Sequence, residues 1–274
     1  MELFTLWLWP LIALLVLPGL LVYFGLHVVE RGVIFVDLAL AQIAALGVCV
    51  ALAMGAEAHH SLLPYAMAVS FTLIGAALFA WTRFRHARVP QEAIIGIVYV
   101  VAAAAATLVL SHTAEGDEAL KNLLVGNVLL VTKGEVLRTA ALFAAIGLVH
   151  LLLRRRFLLV TFDEDAARAQ GVRLRLWDFL FYATFGITVT SFVQITGVYL
   201  VFSYLIVPAV CGALLTAGVQ ARLAIGWAVA LVAGVSGLLI SVYGTSLDLP
   251  TGPTIVCCFG FLLAISGVVV KLRR

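Results

Sequence analysis

Residues 33–54 read VIFVDLALAQIAALGVCVALAM, an apolar stretch that contains one carboxylate and one amide. A stretch of about 20 apolar residues is long enough to cross the roughly 30 Å hydrocarbon layer of a membrane as a helix. Many of its residues are small, which is typical of helices that pack closely in membranes; they include Ala39, Ala41, Ala44, Ala45 and Gly47. The stretch predicts a transmembrane helix whose acid faces the protein interior.

The rest of the 274-residue chain has a similar composition. Hydrophobic residues make up 64% of it and charged residues 11%, against about 45–50% and about 25% in soluble domains. Eight further apolar blocks cover residues 3–25, 62–82, 93–111, 137–153, 178–195, 198–216, 223–243 and 253–270. This excludes a soluble protein and predicts an all-α membrane helix bundle of about eight or nine spans, in one domain over residues 1–274.

Two places leave the number of spans open. Only Thr196 and Gly197 separate the sixth block from the seventh, and the second block begins just after Glu30, Arg31 and Gly32. Either pair of blocks can therefore include a half-span or a re-entrant piece.

The positions of the basic residues predict the orientation, because short cytoplasmic loops are enriched in Lys and Arg. With nine spans, all of the 17 basic residues fall on the cytoplasmic side except Lys121, Lys133 and Arg138. The N-terminus then faces outward and the C-terminus inward. The alternative is an even number of spans with both ends inside, which would move residues 26–32 to the outer face.

Residues 154–177, RRRFLLVTFDEDAARAQGVRLRLW, form a hydrophilic segment on the predicted cytoplasmic side. Acids precede an Ala-rich stretch that a glycine follows, a pattern typical of a helix start and stop. The residues of this pattern are Asp163, Glu164, Asp165, Ala166, Ala167 and Gly171. The segment predicts a short surface helix.

Polar groups within the apolar blocks are candidates for function, because a charge at mid-bilayer costs a few kcal/mol. Asp37 is a candidate for a substrate path; alternatively it pairs with Arg31 or caps a broken helix. Gln42 is also a candidate for the path, but it follows Asp37 by about 140° around a regular helix, so the two cannot both face one small ion unless the helix is distorted. Three further acids lie at span ends: Glu92, Asp178 and Asp248. Capping or interfacial roles are favoured for them, although Glu92 is also a candidate for the substrate path.

A short outer loop contains two histidines, His59 and His60, beside Glu57. Nitrogen and oxygen ligands of this kind can attract a transition metal, so we predict His59 and His60, together with Asp37, as metal ligands. The alternative is that the two histidines are plain exposed polar residues.

Pro208 lies within the apolar stretch YLIVPAVCGALL. A proline inside a helix removes one backbone hydrogen bond and bends the helix. We therefore predict a kinked span at Pro208, which is a candidate to flank a translocation path.

Motifs for chemistry are absent from the sequence. It contains no G-x-x-x-x-G-K-[ST], no G-x-S-x-G and no H-E-x-x-H, so it is expected neither to bind ATP itself nor to be an enzyme. Transport is the predicted class of function. A secondary transporter driven by an ion gradient is the alternative, but it needs coupling acids and usually repeated halves, and the sequence has one candidate acid and no repeat.

Six segments then carry a resemblance to a known family. They read FVDLALAQIAALG, EAIIGIVYV, KNLLVGNVLLV, LLVTFDEDAARAQGV, GVYLVFSYLIVPAVCGALL and LDLPTGPTIV. In this order and spacing they resemble the membrane permease subunit of the ABC-3 family of zinc, manganese and iron ABC importers. The resemblance covers nearly the whole chain.

The resemblance implies a type II ABC importer fold in a bacterial-type cytoplasmic (inner) membrane. It implies import of a divalent metal ion with a second copy of the chain, separate ATPase subunits that use ATP, and an extracytoplasmic metal-binding protein. Membrane lipid is also expected as a partner. Nucleic acid is not expected as a partner, and the chain is not expected to bind a cofactor. Residues 157–175 become a cytoplasmic coupling segment that inserts into a groove of the ATPase.

One departure from the family pattern concerns the metal. Many members similar to zinc or manganese importers carry an Asp and a His four residues apart at the start of the second span. Here Gln42 stands where that histidine aligns, and Asp37 precedes it by five residues. An amide oxygen with a shifted carboxylate makes a weaker and harder site, so the identity of the metal stays open.

Overall fold

A computed structural model describes residues 2–16, 18–56, 62–83, 89–111, 126, 128–244 and 249–273, the first five by their backbone alone. Within these ranges the regular structure is helical and contains no strand. This confirms the predicted all-α fold.

The helices of the described ranges follow one another in chain order, with a 3-10 turn at Val128–Leu130 before α6. They are α1 (Glu2–Val16), α2 (Pro18–Arg31), α3 (Val36–Ala53), α4 (Leu63–Trp81), α5 (Gln91–Leu110), α6 (Lys133–Leu152), α7 (Arg154–Phe162), α8 (Glu164–Ala169), α9 (Leu174–Thr196), α10 (Val198–Leu215), α11 (Val219–Tyr243) and α12 (Thr251–Leu272).

In the part of the chain that the structure describes, nine helical segments are long and apolar enough to cross a membrane. The first runs through α1 and α2 as Trp7–Arg31, and the others are α3, α4, α5, α6, α9, α10, α11 and α12. The predicted bundle of spans is confirmed. Because α9 has 23 residues and α10 has 18, both have the length of a full span rather than a half-span.

The first span ends later than the sequence predicts. Its apolar block stops at residue 25 and a loop is expected over residues 26–32, but α2 continues to Arg31. The expected loop is therefore wrong for most of its length. The hydrophilic residues that suggested it are accommodated in the helix because the Arg31 side chain finds buried polar partners, which are described below.

A single glycine separates α9 from α10. Gly197 has a φ of 77°, in the left-handed region that glycine adopts without steric cost. Its N–H donates a hydrogen bond to the carbonyl oxygen of Val193 at 2.8 Å. The boundary predicted at Thr196 and Gly197 is confirmed.

The chain divides into two compact units. The first comprises Met1–Val29, Leu124–Ala145 and Phe192–Arg274, and the second comprises Glu30–Leu123 and Ile146–Ser191. The prediction of one domain over the whole chain stays a prediction.

The first unit is built around aromatic and small residues. The ring of Tyr204, on α10, lies edge-on to Phe192 and Phe259 with centroid separations of 6.2 and 4.8 Å. Gly212 on α10 faces the backbone of Arg222 on α11, where a Cβ would lie 2.6 Å from the carbonyl oxygen. The lack of a side chain at this position therefore allows α10 and α11 to approach closely.

The second unit is organised by α3, which packs against α4 and α5. The small residues noted in the sequence lie in this contact: Ala39, Ala41, Ala44, Ala45 and Gly47 are all buried. A Cβ at position 47 would lie 2.6 Å from the carbonyl oxygen of Met67 on α4. The backbones of α3 and α4 therefore touch at Gly47.

This contact predicts the effect of one added methyl group. We expect Gly47→Ala to lower the free energy of unfolding by about 1–3 kcal/mol, because the backbone of Met67 must move. In Gly96→Ala, on α5, the new Cβ meets no atom within 4 Å, and higher helix propensity should raise stability by up to about 1 kcal/mol. Thermal unfolding in detergent, followed by circular dichroism, measures both; equal stability of the two variants would contradict the close approach.

Candidate functional site

Asp37 lies in the first turn of α3 with only 1% of its surface exposed. Neither of its carboxylate oxygens has a hydrogen-bond partner among the described residues. Burial of an ionised carboxylate without a partner is strongly unfavourable, and an acid of this kind in a spanning helix is a candidate for a functional site. The predicted alternative of a pair between Arg31 and Asp37 is not what the structure shows, because Arg31 binds another acid.

Glu92 brings a second carboxylate to the same end of α3. It lies in the first turn of α5, and its Oε1 accepts a hydrogen bond from the N–H of Phe35, the residue before α3, at 3.0 Å. Its Oε2 is buried and has no partner in the described ranges. Asp37 lies in the first turn of α3, so the two carboxylates are at the same end of this helix. One oxygen of Glu92 therefore caps α3, and the other has no partner in the described ranges, at the same end of α3 as Asp37.

The other residues predicted for the path or as metal ligands lie elsewhere. Gln42 is buried on α3, whereas His59 and His60 lie outside the described residues. No group of three or more His, Cys, Asp or Glu side chains within the described ranges is arranged to hold a metal ion. The donors that the structure brings together are therefore the oxygens of Asp37 and Glu92.

A buried ion pair lies at the end of α2. Asp178, on α9 and 1% exposed, accepts a hydrogen bond from Nη1 of Arg31 at 2.9 Å and another from Nη1 of Arg83 at 2.6 Å, both through Oδ1. The guanidinium of Arg31 also lies over the ring of Phe181, 4.0 Å from its centroid, and its Nε donates to Oγ1 of Thr161 at 3.0 Å. One carboxylate thus neutralises charge from two separate parts of the chain.

The predicted surface helix is present as α8, Glu164–Ala169. Asp163 caps it, since its Oδ1 accepts a hydrogen bond from the N–H of Ala166 at 2.9 Å. Gly171, with a φ of 68°, follows its end. Ala167 is buried and Ala166 is half-buried, whereas Asp165 is exposed. The local pattern of acids, alanines and a glycine is therefore confirmed as a helix with defined ends.

Glu164 connects α8 to the buried ion pair. Its Oε2 accepts a hydrogen bond from Nη2 of Arg83 at 2.6 Å, and its Oε1 binds Arg168 within the same helix. Burial opposes the charged form of Glu164, but the hydrogen bond from Arg168 and the charge of Arg83 prevail and hold its pKa below the ordinary value. Burial likewise opposes the charged form of Arg83, but Asp178 and Glu164 raise its pKa above the ordinary value.

Sequence reasoning missed this set of ion pairs. Arg83 was predicted only as one of the cytoplasmic basic residues, and Asp178 as a capping or interfacial acid. The signal that was available is that both Arg31 and Asp178 lie at the edges of apolar blocks, where a charge needs a partner. Asp248 lies outside the described residues.

Pro208 lies inside α10, as the sequence predicts. A Cβ on Gly226 of α11 would lie 3.1 Å from the carbonyl oxygen of Pro208. The two helices are thus in close contact at this proline, and its role beside a translocation path stays a prediction.

The whole chain matches a family model. The match to ABC-3, the ABC 3 transport family, runs over residues 4–270. The chain belongs to the ABC-3 family. The resemblance found in the six sequence segments is therefore confirmed, and the ABC-3 chain is a multi-pass membrane protein of a transport family.

Named relatives of this ABC-3 chain are membrane proteins of metal transport systems. The chelated iron transport system membrane protein YfeD of Yersinia pestis is 31% identical over 171 residues, which cover 62% of this chain and 56% of YfeD. The manganese transport system membrane protein MntB of Synechocystis sp. is 30% identical over 232 residues, which cover 78% of this chain and 72% of MntB. The chain thus matches little more than half the length of YfeD.

A solved structure shares the fold of this ABC-3 chain. PsaBC from Streptococcus pneumoniae, in complex with Fab, superposes with a TM-score of 0.79 at 22% sequence identity, and the match covers 98% of this chain and 95% of that one. At this identity the likeness is one of fold.

The ion pair at Asp178 predicts a large loss of stability on removal of its charge. We expect Asp178→Asn to lower the free energy of unfolding by about 3–5 kcal/mol, because two partly or fully buried guanidinium groups lose their shared anion. In the control, Asp165→Asn, an exposed carboxylate is replaced, and the change should be below about 1 kcal/mol. Unfolding in detergent measures both variants, and equal stabilities would contradict the importance of the pair.

Proposed function

We propose that this chain is the permease subunit of an ATP-driven importer that carries a divalent transition metal ion into the cytoplasm. Membership of the ABC-3 family supports transport, and the names of its relatives support a metal as the substrate. The observation on which the proposal depends is the carboxylate of Asp37, buried in a spanning helix with both oxygens unpartnered. A passing cation would neutralise that charge.

The ion would be held in turn by oxygens of this chain. Asp37 and Glu92 offer carboxylate oxygens at the same end of α3, and Gln42 offers an amide oxygen farther along the helix. Gln42 is not required to bind at the same moment as Asp37, because the ion moves along the path. Oxygen donors suit manganese better than zinc, which favours imidazole and thiolate ligands. We therefore propose manganese rather than zinc as the ion that these oxygens hold, and His59 and His60 as ligands only at the entrance, before the ion reaches them.

The energy for transport would come from a partner. We propose that α8 and its flanking residues, within 157–175, dock on a cytoplasmic ATPase subunit and that the chain itself binds no nucleotide. A second copy of the chain, an extracytoplasmic metal-binding protein and the lipids of a bacterial inner membrane complete the proposed assembly. The arrangement in which Asp163 and Gly171 define both ends of α8 supports a preformed docking element.

A secondary transporter driven by an ion gradient is the competing proposal, and it shares the buried acid of Asp37. The two differ in their need for the ATPase. Vesicles that contain the purified chain alone should show no uptake of Mn²⁺, and uptake should appear when the ATPase subunits, the metal-binding protein and ATP are supplied. Gradient-driven uptake by the chain alone would favour the competitor.

The proposed path predicts the effect of a neutral side chain at position 37. We expect Asp37→Asn to reduce uptake of Mn²⁺ by about tenfold or more, because the amide keeps the shape but loses the charge that attracts the cation. Membrane insertion and association with the ATPase should persist. Glu30→Gln, which replaces an exposed carboxylate at the end of α2, is the control; uptake by Asp37→Asn at the rate of this control would remove Asp37 from the path.

The proposed docking role predicts the effect of a bulky charge on α8. Ala167 is buried, so a substitution there would disturb packing within the chain, whereas Ala169 is exposed. We expect Ala169→Arg to abolish copurification of the ATPase subunit while the chain remains inserted in the membrane. Val89→Arg adds the same charge at an exposed position before α5 and should retain the ATPase; retention by Ala169→Arg as well would contradict docking on α8.

A further inference from the structure

We infer that Arg83 is a positioning residue that links α8 to α9 through its ion pairs with Glu164 and Asp178. This link is needed for ATP hydrolysis to drive transport, and it is not needed for the ATPase to bind. The inference rests on the proposed function, since it takes α8 as the helix on which the ATPase acts. Arg83 itself lies two residues beyond the end of α4. The link between α8 and α9 therefore also involves the chain directly after α4.

The geometry of Arg83 carries the inference. Its Nη1 donates to Oδ1 of Asp178 on α9, and its Nη2 donates to Oε2 of Glu164 on α8, each at 2.6 Å. The Arg83 side chain is 18% exposed and that of Asp178 is 1% exposed. Ion pairs that are removed from water are screened less than those on the surface. The bond to Asp178 therefore differs from an ordinary surface salt bridge, whereas the Glu164 side chain is 33% exposed and its bond to Arg83 is only partly removed from water.

The side chain at position 83 must be an arginine for this geometry. A guanidinium is planar and carries its donors in a fixed fork, so its two ends can hold two carboxylates at a set separation. A lysine ammonium is a compact charge on a flexible stem and does not impose that separation. Arg83 is thus a rigid spacer between Glu164 and Asp178.

Each of the two carboxylates also binds a second arginine. Glu164 also binds Arg168, one turn farther along α8. Asp178 also binds Arg31 at the end of α2, and Arg31 donates to Thr161 of α7. The second partner of each carboxylate restricts its rotation. A displacement of α8 therefore moves Glu164 and with it Arg83, and Arg83 in turn moves Asp178 on α9.

Co-reconstitution with the ATPase separates the two roles that Arg83 can have. The chain is placed in vesicles with the ATPase subunits and the metal-binding protein, and three quantities are measured: bound ATPase, ATP hydrolysis, and Mn²⁺ imported for each ATP. For Arg83→Gln we expect wild-type binding and hydrolysis but about a tenfold loss of Mn²⁺ imported for each ATP, within the usual range of coupling between sites. Arg155→Gln removes the same charge from the first turn of α7 at an exposed position outside the proposed docking segment, and should retain the wild-type ratio.

A double-mutant cycle tests whether Arg83 acts through Glu164. If it does, Glu164→Gln should lower the ratio as Arg83→Gln does, and the double variant should be no worse than Arg83→Gln alone. If the losses of the two single variants multiply in the double variant, Arg83 and Glu164 act independently, and the inference is overturned. Arg83→Lys keeps the charge but not the fork, and should also fall below the wild-type ratio while the ATPase stays bound.

Each result assigns a failure to one proposal. A wild-type ratio in Arg83→Gln overturns the inference and leaves docking on α8 intact, and a loss of bound ATPase in Arg83→Gln also overturns it, because Arg83 would then serve docking. A wild-type chain that imports Mn²⁺ without binding any ATPase contradicts the proposed function instead. If Arg83→Gln does not accumulate in the membrane, Arg83→Lys decides, and a wild-type ratio in that variant overturns the inference.

Discussion

The buried charge on Asp178 determines how the side chains around it are arranged. A carboxylate at a span end with 1% of its surface exposed needs compensation, and it obtains this from Arg31 and Arg83 together. The need for that compensation explains why α2 continues as far as Arg31 and why Arg83, after α4, lies against α9. Asp37 is the opposite case, because no side chain in the described ranges bonds to its oxygens. The second unit thus contains one acid whose charge is paired with two guanidinium groups and another that has no side-chain partner in the described ranges.

Much of the fold could be predicted because its causes are local. A backbone in hydrocarbon must satisfy its own hydrogen bonds, so the length of each apolar block predicts a span. The ends of α8 follow from Asp163 and Gly171, which act within a few residues of their own positions. The turn at Gly197 likewise needs one residue that tolerates a positive φ. These features depend on near neighbours in the sequence, which a single sequence displays.

The pairing of side chains could not be predicted in the same way. Arg31 and Asp178 are 147 positions apart and Arg83 and Asp178 are 95 apart, so nothing local selects one acid over another. On sequence alone Asp37 is the nearer candidate for Arg31, and it is not the partner. The bond between Glu92 and the N–H of Phe35 spans 57 positions and was equally hidden. Such contacts follow from how helices pack, and helix order along the chain does not specify it.

Asp163 ends α7 and begins α8, so no spacer separates the two helices. One residue inserted into α7 would turn all that follows by about 100° about the helix axis and advance it by about 1.5 Å. Glu164 would then point away from Arg83. We conclude that the bond between Glu164 and Arg83 fixes the length of this stretch, so insertions and deletions should be confined to the loops outside it.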